Sequence, residues 1–463
     1  MLNPTDEPAL LSGVELRQSA EAVLSGNWEH DHTVPSRTLY PHQWSWDSAF
    51  TAIGLAHCAP DRAWTELRTL FAAQWPDGRV PHIVFNPSVA ADRYFPGASF
   101  WNSSAVLGPQ ARPTSGIVQP PLHALAARLL YHAVPTESAR QELTALYPRL
   151  VAQQDYLARH RDVGGGGLAC IVHPWESGLD NSPAWDGALA ALKGDSTTTR
   201  EHGRRDIRFA DATHRPTDTD YARYMLLAEA YRAGGYADDG LVAGHQFLVE
   251  CPLFNAITAL AEHALAEIAT VVGADASRHR TRAAALTSAL VDRLFDNTTG
   301  TFHARDLRTG QLLRVHTVAN LAPLILPLLP RRHVAAILAE AASPRFGLRM
   351  DMVLPPVSYD RTAPDFDHRR YWRGPIWMNT SWLLWYGLRS HREHRLADAV
   401  RTCALNLVER SGFHEYYEPT TAEGIGAPTF SWTAALTLDL LAAGPQVDVE
   451  PQVERQVDAV AAT

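Results

Sequence analysis

The sequence has few cysteines, and they form no pattern. Cys58, Cys170, Cys251 and Cys403 are scattered through 463 residues without a C-x-x-C pair. A disulfide-stapled domain or a thiolate zinc site needs more cysteines at regular or close spacing. We therefore expect neither class, and 46% hydrophobic residues are enough for a large core instead.

Positive charge and long apolar runs are also scarce. The chain has 41 Lys and Arg against 50 Asp and Glu, and the formal charge of −9 argues against nucleic acid or an anionic membrane as a partner. The most apolar run, Leu321 to Leu329, is broken by Pro323 and Pro327, and the N-terminal residues lack the pattern of a signal peptide. We predict a cytoplasmic protein without a membrane span, and the sequence leaves a homo-oligomer open.

Motifs for nucleotides, nucleophiles and metals are missing as well. There is no G-x-S-x-G elbow, P-loop or G-x-G-x-x-G, and Gly164–Gly167 lacks the Lys-Ser/Thr of a phosphate loop. The segment Glu29–His32 and the pair His391 and His394 lack the helical histidine pair with a carboxylate that a zinc site shows. Surface or core histidines explain them better, so we predict no metal and no cofactor.

Helical periodicity, by contrast, is abundant. Apolar residues recur at helical spacing, as in Leu122, Leu125 and Leu129 after a Pro-Pro pair. The predicted helices cover residues 13–26, 47–58, 60–73, 120 onward, 138–161, 183–193, 218–234, 253–270, 274–295, 331–342, 375–390, 394–410 and 430–443. Short strands are expected only near 168–172 and 299–315, so the sequence predicts an all-α protein.

Long segments without a periodic pattern separate some of these helices. They cover residues 74–119, 194–217, 344–374 and 411–429. Long irregular loops inside a compact domain are usually functional. Several of these carry tryptophans beside polar residues, so we expect them to form a binding site.

The segment 173–183 ends at the start of a helix. Ser182 is typical of an N-cap and Pro183 of the first helical position, because serine satisfies a free backbone N–H and proline has none. Asp180 therefore lies just before a helix and can face a cavity. A simple acidic capping turn would have the same pattern.

A second acidic block, 412–419, makes a catalytic interpretation more attractive. It contains Glu415 far along the chain from Asp180, and two such groups suit general acid–base chemistry. Each has a competitor in its own block. Glu176 is an alternative acid and Glu418 an alternative base.

Thirteen tryptophans are many for this length, and most of the blocks that contain them also carry Asp, Glu, Gln or Gly. An aromatic face packs on the apolar face of a sugar ring, while carboxylates and amides bind its hydroxyl groups. Any single tryptophan could equally fill the core. Together, these blocks favour a sugar site.

Five blocks resemble the catalytic domain of glycoside hydrolase family 63, and within it the bacterial mannosylglycerate and glucosylglycerate hydrolases. These blocks are Tyr40–Asp47, Trp75–His82, His173–Pro183, Tyr371–Trp377 and Phe413–Pro419. The resemblance implies an (α/α)6 toroid and inverting hydrolysis of a small α-glycoside, with Asp180 as general acid, Glu415 as general base and no metal. It also implies that the sugar site is lined by Tyr40, Trp44, Trp46, Asp47, His82, Gln119, Trp175, Gly178, Tyr371, Trp372, Trp377 and Trp432.

The same resemblance gives the domain organisation. Residues 1–445 would form a single catalytic domain, whose loops around 74–119 and 194–217 cap the active site. The polar segment 446–463 is expected to be a frayed tail. The chain begins directly in the helical part, which favours a small substrate over an oligosaccharide.

Arg215 and Tyr221 resemble the loop arginine and tyrosine that hold the glycerate carboxylate in the glycerate-specific relatives. Pro216 biases Arg215 towards an extended backbone, from which its side chain can project. Arg215 could instead pair with a nearby acid, Asp211 or Asp218, at the surface. Another arginine, Arg205 or Arg208, could also take its role.

An inverting glycosidase places its two carboxyl groups about 6.5–9.5 Å apart, so that a water molecule fits between the base and the sugar. A helix N-terminus favours the ionised form of Asp180, so desolvation by Trp175 and Trp185 and the charge of Glu415 must retain its proton. The alternative function is a non-hydrolytic sugar-modifying or sugar-binding (α/α)6 protein. An epimerase of that kind would recruit histidines such as His82, His173 and His414.

Overall fold

The computed structural model describes residues 13–194, 204, 207 and 211–444. The predicted tail 446–463, most of the predicted cap loop 194–217, and Arg205 and Arg208 lie outside these residues. The described chain contains twelve helices of more than ten residues. They are α1 (Gly13–Gly26), α2 (Ser45–Leu55), α3 (Pro60–Phe71), α4 (His123–Ala133), α5 (Glu137–Tyr156), α6 (Asp218–Ala233), α7 (Pro252–Val272), α8 (Ser277–Leu294), α9 (Arg331–Ala342), α10 (Met378–Ser390), α11 (His394–Ser411) and α12 (Ser431–Ala443).

Capping residues explain where several of these helices begin. Thr136 accepts a hydrogen bond from the backbone N–H of Ala139 at the start of α5. Thr217 and Asp220 form a reciprocal capping box at the start of α6. The predicted helix 183–193 is much shorter in the structure, where a 3-10 turn (Pro183–Trp185) leads into a helix of five residues.

The helices form two concentric layers. An inner ring runs from α2 to α4, α7, the 3-10 turn Ala322–Ile325, α10 and α12, and α12 packs back against α2. In the outer layer α1 packs on α12, α3 on α2, α5 on α4 and α7, α8 on α7, and α11 on α10. The fold is therefore an (α/α)6 toroid, as predicted. One inner position is a short turn, because Pro323 and Pro327 prevent a longer helix.

The strands are short, two or three residues each, and lie in the segments that connect the helices. They are β1 (Trp28–Glu29), β2 (His32–Thr33), β3 (Gln43–Trp44), β4 (Ile83–Val84), β5 (Cys170–Ile171), β6 (Val249–Glu250), β7 (Phe295–Asp296), β8 (Thr301–Phe302), β9 (Ala304–Asp306), β10 (Gln311–Leu313), β11 (Tyr416–Tyr417) and β12 (Gly424–Ile425). One antiparallel sheet has the order β10-β9-β6-β5, and α9 packs against β8. The predicted strand regions 168–172 and 299–315 contain β5 and β8–β10 and are confirmed.

Two small antiparallel pairs position the loops that reach the centre of the ring. β3 pairs with β4, so that Trp44 lies opposite Ile83 and the loop after α3 is held beside the start of α2. β11 pairs with β12 and fixes the strand that follows Glu415. No helix of the described chain has the length and apolar character needed to cross a membrane.

Candidate active site

One pocket lies at the N-terminal ends of inner helices α2, α10 and α12. Glu415, Asp180 and thirteen of the fourteen predicted binding residues line it. The thirteen are Tyr40, Trp44, Trp46, Asp47, His82, Gln119, Trp175, Gly178, Arg215, Tyr221, Tyr371, Trp372 and Trp432. Blocks that are hundreds of residues apart therefore meet here because the inner helices all begin at the same end of the toroid.

The turn before Asp180 is held by hydrogen bonds from both sides. His173 accepts at Nδ1 from the N–H of Trp175 (3.0 Å) and donates from Nε2 to the carbonyl of Tyr224 (2.9 Å). The hydroxyl of Tyr224 in turn donates to the carbonyl of Asp180 (3.1 Å). Ser182 caps the following 3-10 turn as predicted. Asp180 is thus fixed at the pocket wall by a rigid backbone.

Gly178 is required by close packing as well as by its backbone. Its φ is +73°, and a Cβ built there would lie 2.4 Å from the ring of Trp46. A left-handed backbone of this kind suits glycine, since it has no side chain to clash. The turn can therefore lie directly against the tryptophan at the start of α2.

Glu415 is surrounded by groups that favour its charge. Tyr40 donates to Oε1 (2.7 Å), and the backbone N–H of Ala427 donates to Oε2 (3.1 Å). The guanidinium of Arg215 lies 3.7 Å from Oε1 and sits over the ring of Tyr371, 4.1 Å from its centroid. Burial raises the pKa of Glu415, while Arg215 and these hydrogen bonds oppose that shift.

Asp180 is half-buried and opens on the pocket. Burial raises its pKa to about 7, Arg215 lowers it, and the neighbouring Glu415 raises it. Burial also raises the pKa of Asp47 well above its usual range, and the charges of Glu415 and Asp180 add to that effect. Carboxyl groups in this pocket can therefore keep a proton near neutral pH.

Glu176, the alternative acid, is engaged elsewhere. It is fully buried and forms a two-pronged pair with Arg161, with N–O distances of 2.7 and 2.8 Å. Its oxygens also accept from the backbone N–H groups of Val172 (2.7 Å) and Val118 (3.1 Å). Glu176 does not line the pocket, and the structure gives it a structural role.

Glu418, the alternative base, also lies outside the pocket lining. Its side chain accepts hydrogen bonds from the backbone N–H of Thr420 and from Thr421, and it pairs with His368. Although burial opposes the effect, these hydrogen bonds lower the pKa of Glu418 to about 2. Glu418 therefore stabilises the loop that follows β11.

Two predicted tryptophan positions need correction. Trp377 is fully buried behind the wall, stacked between Trp372 (3.7 Å between ring centroids) and Tyr416 (4.7 Å). It supports the pocket wall without reaching the cavity. Trp185, expected to desolvate Asp180, donates to the carbonyl of Leu179 and lies outside the lining, whereas Trp175 belongs to it.

Arg215, in the loop before α6, and Tyr221, in the first turns of α6, both reach the pocket. The backbone of Arg215 is extended, as its position before Pro216 predicts. The side chain is buried beside Glu415, and Asp218 pairs with Arg204 instead. Tyr221 donates to the carbonyl of Phe95 (3.1 Å), which connects this loop to the one between α3 and α4.

Several lining residues were missed in the sequence. They are Pro35, Leu39, Arg93, Tyr94, Phe95, Pro96, Pro216, Tyr224 and Phe430. Tyr94 and Phe95 could have been predicted, because they are adjacent aromatic residues in one of the long irregular segments. Tyr224 lies one helical turn after Tyr221 and so shares its face of α6.

The pocket combines aromatic walls, three buried or half-buried carboxyl groups and two arginines, of which Arg215 lies beside Glu415. Aromatic rings with a few convergent polar groups suit a sugar ring. Among the described residues, no group of three His, Cys, Asp or Glu side chains comes together as metal ligands.

Comparisons with known proteins show the family of the chain. Residues 40–433 match the family model of the mannosylglycerate hydrolase MGH1-like glycoside hydrolase domain. A mannosylglycerate hydrolase from Rubrobacter radiotolerans is 42% identical, covering 95% of this chain and 99% of its own. A glucosylglycerate hydrolase from Mycolicibacterium hassiacum is 37% identical over 92% and 98% of the two chains.

A solved structure gives the same result. The family 63 mannosylglycerate hydrolase from Thermus thermophilus, in complex with Tris and D-glycerate, superposes with a TM-score of 0.82 at 38% identity. The match covers 92% of this chain and 99% of that one. The family resemblance of the five sequence blocks is therefore confirmed. The chain belongs to the mannosylglycerate hydrolase MGH1-like family of glycoside hydrolases.

Proposed function

We propose that the protein hydrolyses an α-glycoside of glycerate, either mannosylglycerate or glucosylglycerate, with inversion at the anomeric carbon. The observation that carries this proposal is the joint placement of Asp180, Glu415 and Arg215 in one aromatic pocket. The names of the relatives support the substrate class.

Asp180 acts as the general acid. Its pKa of about 7 means that it carries a proton at or below neutral pH and can give it to the leaving oxygen. Glu415 acts as the general base, because Tyr40, Ala427 and Arg215 all favour its ionised form. It accepts a proton from the attacking water on the opposite face of the sugar.

Inversion follows from direct attack by water. An α-glycoside then releases the β-anomer first, which proton NMR can observe before mutarotation. The compounds to be assayed are mannosylglycerate, glucosylglycerate, and neutral α-mannosides and α-glucosides of similar size. Hydrolysis of the glycerate glycosides with β-sugar appearing first supports the proposal, whereas α-sugar appearing first indicates a covalent intermediate and another pair of carboxylates.

The glycerate carboxylate binds Arg215, with Tyr221 beside it. Loss of a charge-assisted hydrogen bond of about 1.5–3 kcal/mol corresponds to a roughly 10- to 150-fold change. We expect Arg215→Ala to lower kcat/KM by that factor for the glycerate glycoside, and hardly at all for a neutral glycoside of the same sugar. Each variant is assayed at its own pH optimum, and equal losses on both substrates would contradict the assignment.

The non-hydrolytic alternative depends on histidines as proton carriers. Burial lowers the pKa of both His82 and His173 to about 3, so they are weak proton acceptors at neutral pH. Both ring nitrogens of His173 are also engaged in hydrogen bonds to backbone groups. These surroundings favour hydrolysis over epimerisation.

A further inference from the structure

One guanidinium group acts on both carboxyl groups that we assign to catalysis. Arg215 lies 3.7 Å from Glu415 Oε1, and the two side chains are 7% and 1% exposed. Arg215 also lines the pocket together with Asp180. A charge-assisted hydrogen bond is about 2.7–2.9 Å long, so at 3.7 Å this pair interacts through charge and not through a hydrogen bond.

The groups that face the two carboxyls come from several elements. Glu415 is faced by Tyr40, Tyr371, Tyr416, Asp47, Asp180, Arg215 and the N–H of Ala427. Asp180 is faced by Glu415, Arg215, Asp47, Tyr224 and Tyr371. Two arginines line the pocket, Arg93 and Arg215, and Arg215 is the one whose charge acts on Glu415 and Asp180. The lining residue His82 is neutral because burial lowers its pKa to about 3.

We propose that the carboxylate of the substrate itself tunes the acid–base pair, because by pairing with Arg215 it cancels the charge that acts on Glu415 and Asp180. This inference rests on the proposed function and deepens it. Arg215 is then more than an anchor for the aglycone. It makes the protonation of the catalytic groups depend on whether an acidic substrate is bound.

The direction of the effect follows from electrostatics. Arg215 lowers the pKa of both Glu415 and Asp180 in the empty site. One charge within about 4–6 Å moves a carboxyl pKa by about 1–3 units, so a bound carboxylate raises both values. Asp180 then keeps its proton above neutral pH, and Glu415 becomes a stronger base.

This coupling places part of the substrate specificity in the chemical step. An interaction that strengthens the acid–base pair raises kcat, whereas uniform binding of the aglycone lowers only KM. A neutral glycoside of the same sugar would bind with Arg215 still directed at Glu415. The pH profile for hydrolysis of this neutral glycoside would therefore lie at lower pH.

The test compares two glycosides of one sugar on the unmodified enzyme. One has glycerate as aglycone and the other has the corresponding carboxamide, which has the same size and no charge. The rate of the chemical step is measured against pH in single-turnover experiments, so that product release does not interfere. We expect both limbs of the profile to lie about one pH unit higher for the glycerate glycoside.

Variants of Arg215 test the source of the shift. With the carboxamide glycoside, Arg215→Met should move both limbs upward by about one pH unit, and Arg215→Lys should leave them near their original positions. Arg345→Met is the matched control, since Arg345 also pairs with two acids, Glu340 and Asp360, but lies outside the pocket lining. A merely structural role of Arg215 would not shift a pH profile in this way.

The outcomes distinguish a failure of this inference from a failure of the proposed hydrolysis. Coincident profiles for the two glycosides, with only KM differing, would overturn the inference and leave the proposed function standing. An unchanged profile in a folded Arg215→Met enzyme would do the same. Absence of hydrolysis of both glycosides would overturn the proposed function and the inference with it. The comparison of substrates on the unmodified enzyme holds even where a variant fails to fold.

Discussion

The three carboxyl groups that line the pocket differ in their surroundings. Asp47 lies in the first turn of α2, and burial together with the charges of Glu415 and Asp180 raises its pKa well above the usual range. A protonated Asp47 can donate a hydrogen bond to a sugar hydroxyl group. Glu415 has a cation and two donors around it, whereas Asp180 is half-buried at the cavity wall with a pKa of about 7. The charge of Glu415 raises the pKa of Asp180, which favours one ionised and one protonated group, as an acid–base pair needs.

The catalytic assignment predicts the effect of removing either group. Asp180→Asn and Glu415→Gln should each abolish turnover of the glycerate glycoside while the variants stay folded. The double variant should lose little more than either single one, because groups that act together are non-additive. Rates are compared by single-turnover assays, and circular dichroism checks the fold.

Glu418→Gln is the control for the base. It removes the other acid of the same block but leaves the pocket intact, so turnover should persist. Near-normal activity of either catalytic variant, or loss of activity in Glu418→Gln with an intact fold, would contradict the assignment.

At the scale of the element, the turn that carries Trp175 and Asp180 is anchored by a buried ion pair. Glu176 binds Arg161 and also two backbone N–H groups, one of them at Val118, next to Gln119 in the pocket wall. Arg161 is paired in addition with Asp238 (3.1 Å). The network therefore ties two segments of the pocket wall to the π-helical turn Leu157–Arg161, which follows α5.

Breaking this anchor should destabilise the whole protein. Glu176→Ala leaves Arg161 buried without its main partner, and removing one member of a buried pair costs about 3–5 kcal/mol. We expect the free energy of unfolding in urea to fall by about that amount. Glu137→Ala removes the acid of an exposed pair with Arg140 and should have little effect on stability. Similar losses in both variants would show that burial of the pair does not matter.

The ring itself closes through a close contact between two inner helices. A Cβ on Gly54 of α2 would lie 2.2 Å from the Cα of Ala435 in α12. The backbones of the first and last inner helices therefore approach more closely than any side chain at this position allows. Added volume here must push the helices apart.

Gly54→Ala should accordingly lower the free energy of unfolding by about 1–3 kcal/mol, which is the usual cost of overpacking. Gly187→Ala is the matched control, because Gly187 is also helical and has open space where a Cβ would go. That change should be neutral or stabilise by up to about 1 kcal/mol. Unfolding midpoints in urea measure both, and a Gly54 variant as stable as the control would contradict the close contact.

At the scale of the whole molecule, the site makes stability depend on pH. Asp180 has a pKa of about 7 in the folded protein, against about 3.9 in an unfolded chain. The folded state therefore binds more protons between these values, and the contribution of Asp180 to stability falls as the pH rises through this window. On the proposed role of Asp180 as general acid, this cost in stability accompanies function, because an acid catalyst needs its proton.

Asp180→Asn removes this pH-dependent cost. We expect the inactive variant to melt at a higher temperature than the native enzyme at pH 8, and the difference to shrink towards pH 4. Thermal unfolding followed by circular dichroism across this range measures it. A difference in Tm that does not vary with pH would contradict the raised pKa.

The local features of the fold could be predicted from neighbouring residues alone. Helical periodicity gave α1 and α9 with the bounds that the structure has, because each depends on neighbouring residues only. The cap at Ser182 followed from the same local chemistry. The blocks of aromatic and acidic residues also marked where the pocket wall lies, although the catalytic roles within it stay predictions.

Which residues of those blocks reach the cavity depends on how the ring closes. Glu176 and Asp180 belong to one turn, but Glu176 pairs with Arg161 from the helical turn after α5, whereas Asp180 lines the pocket. Trp377 lies behind Trp372, and Tyr40 meets Glu415 across 375 positions of sequence. Burial and pairing of this kind depend on segments that the closed ring brings together from distant parts of the chain, so local pattern carries no information about them.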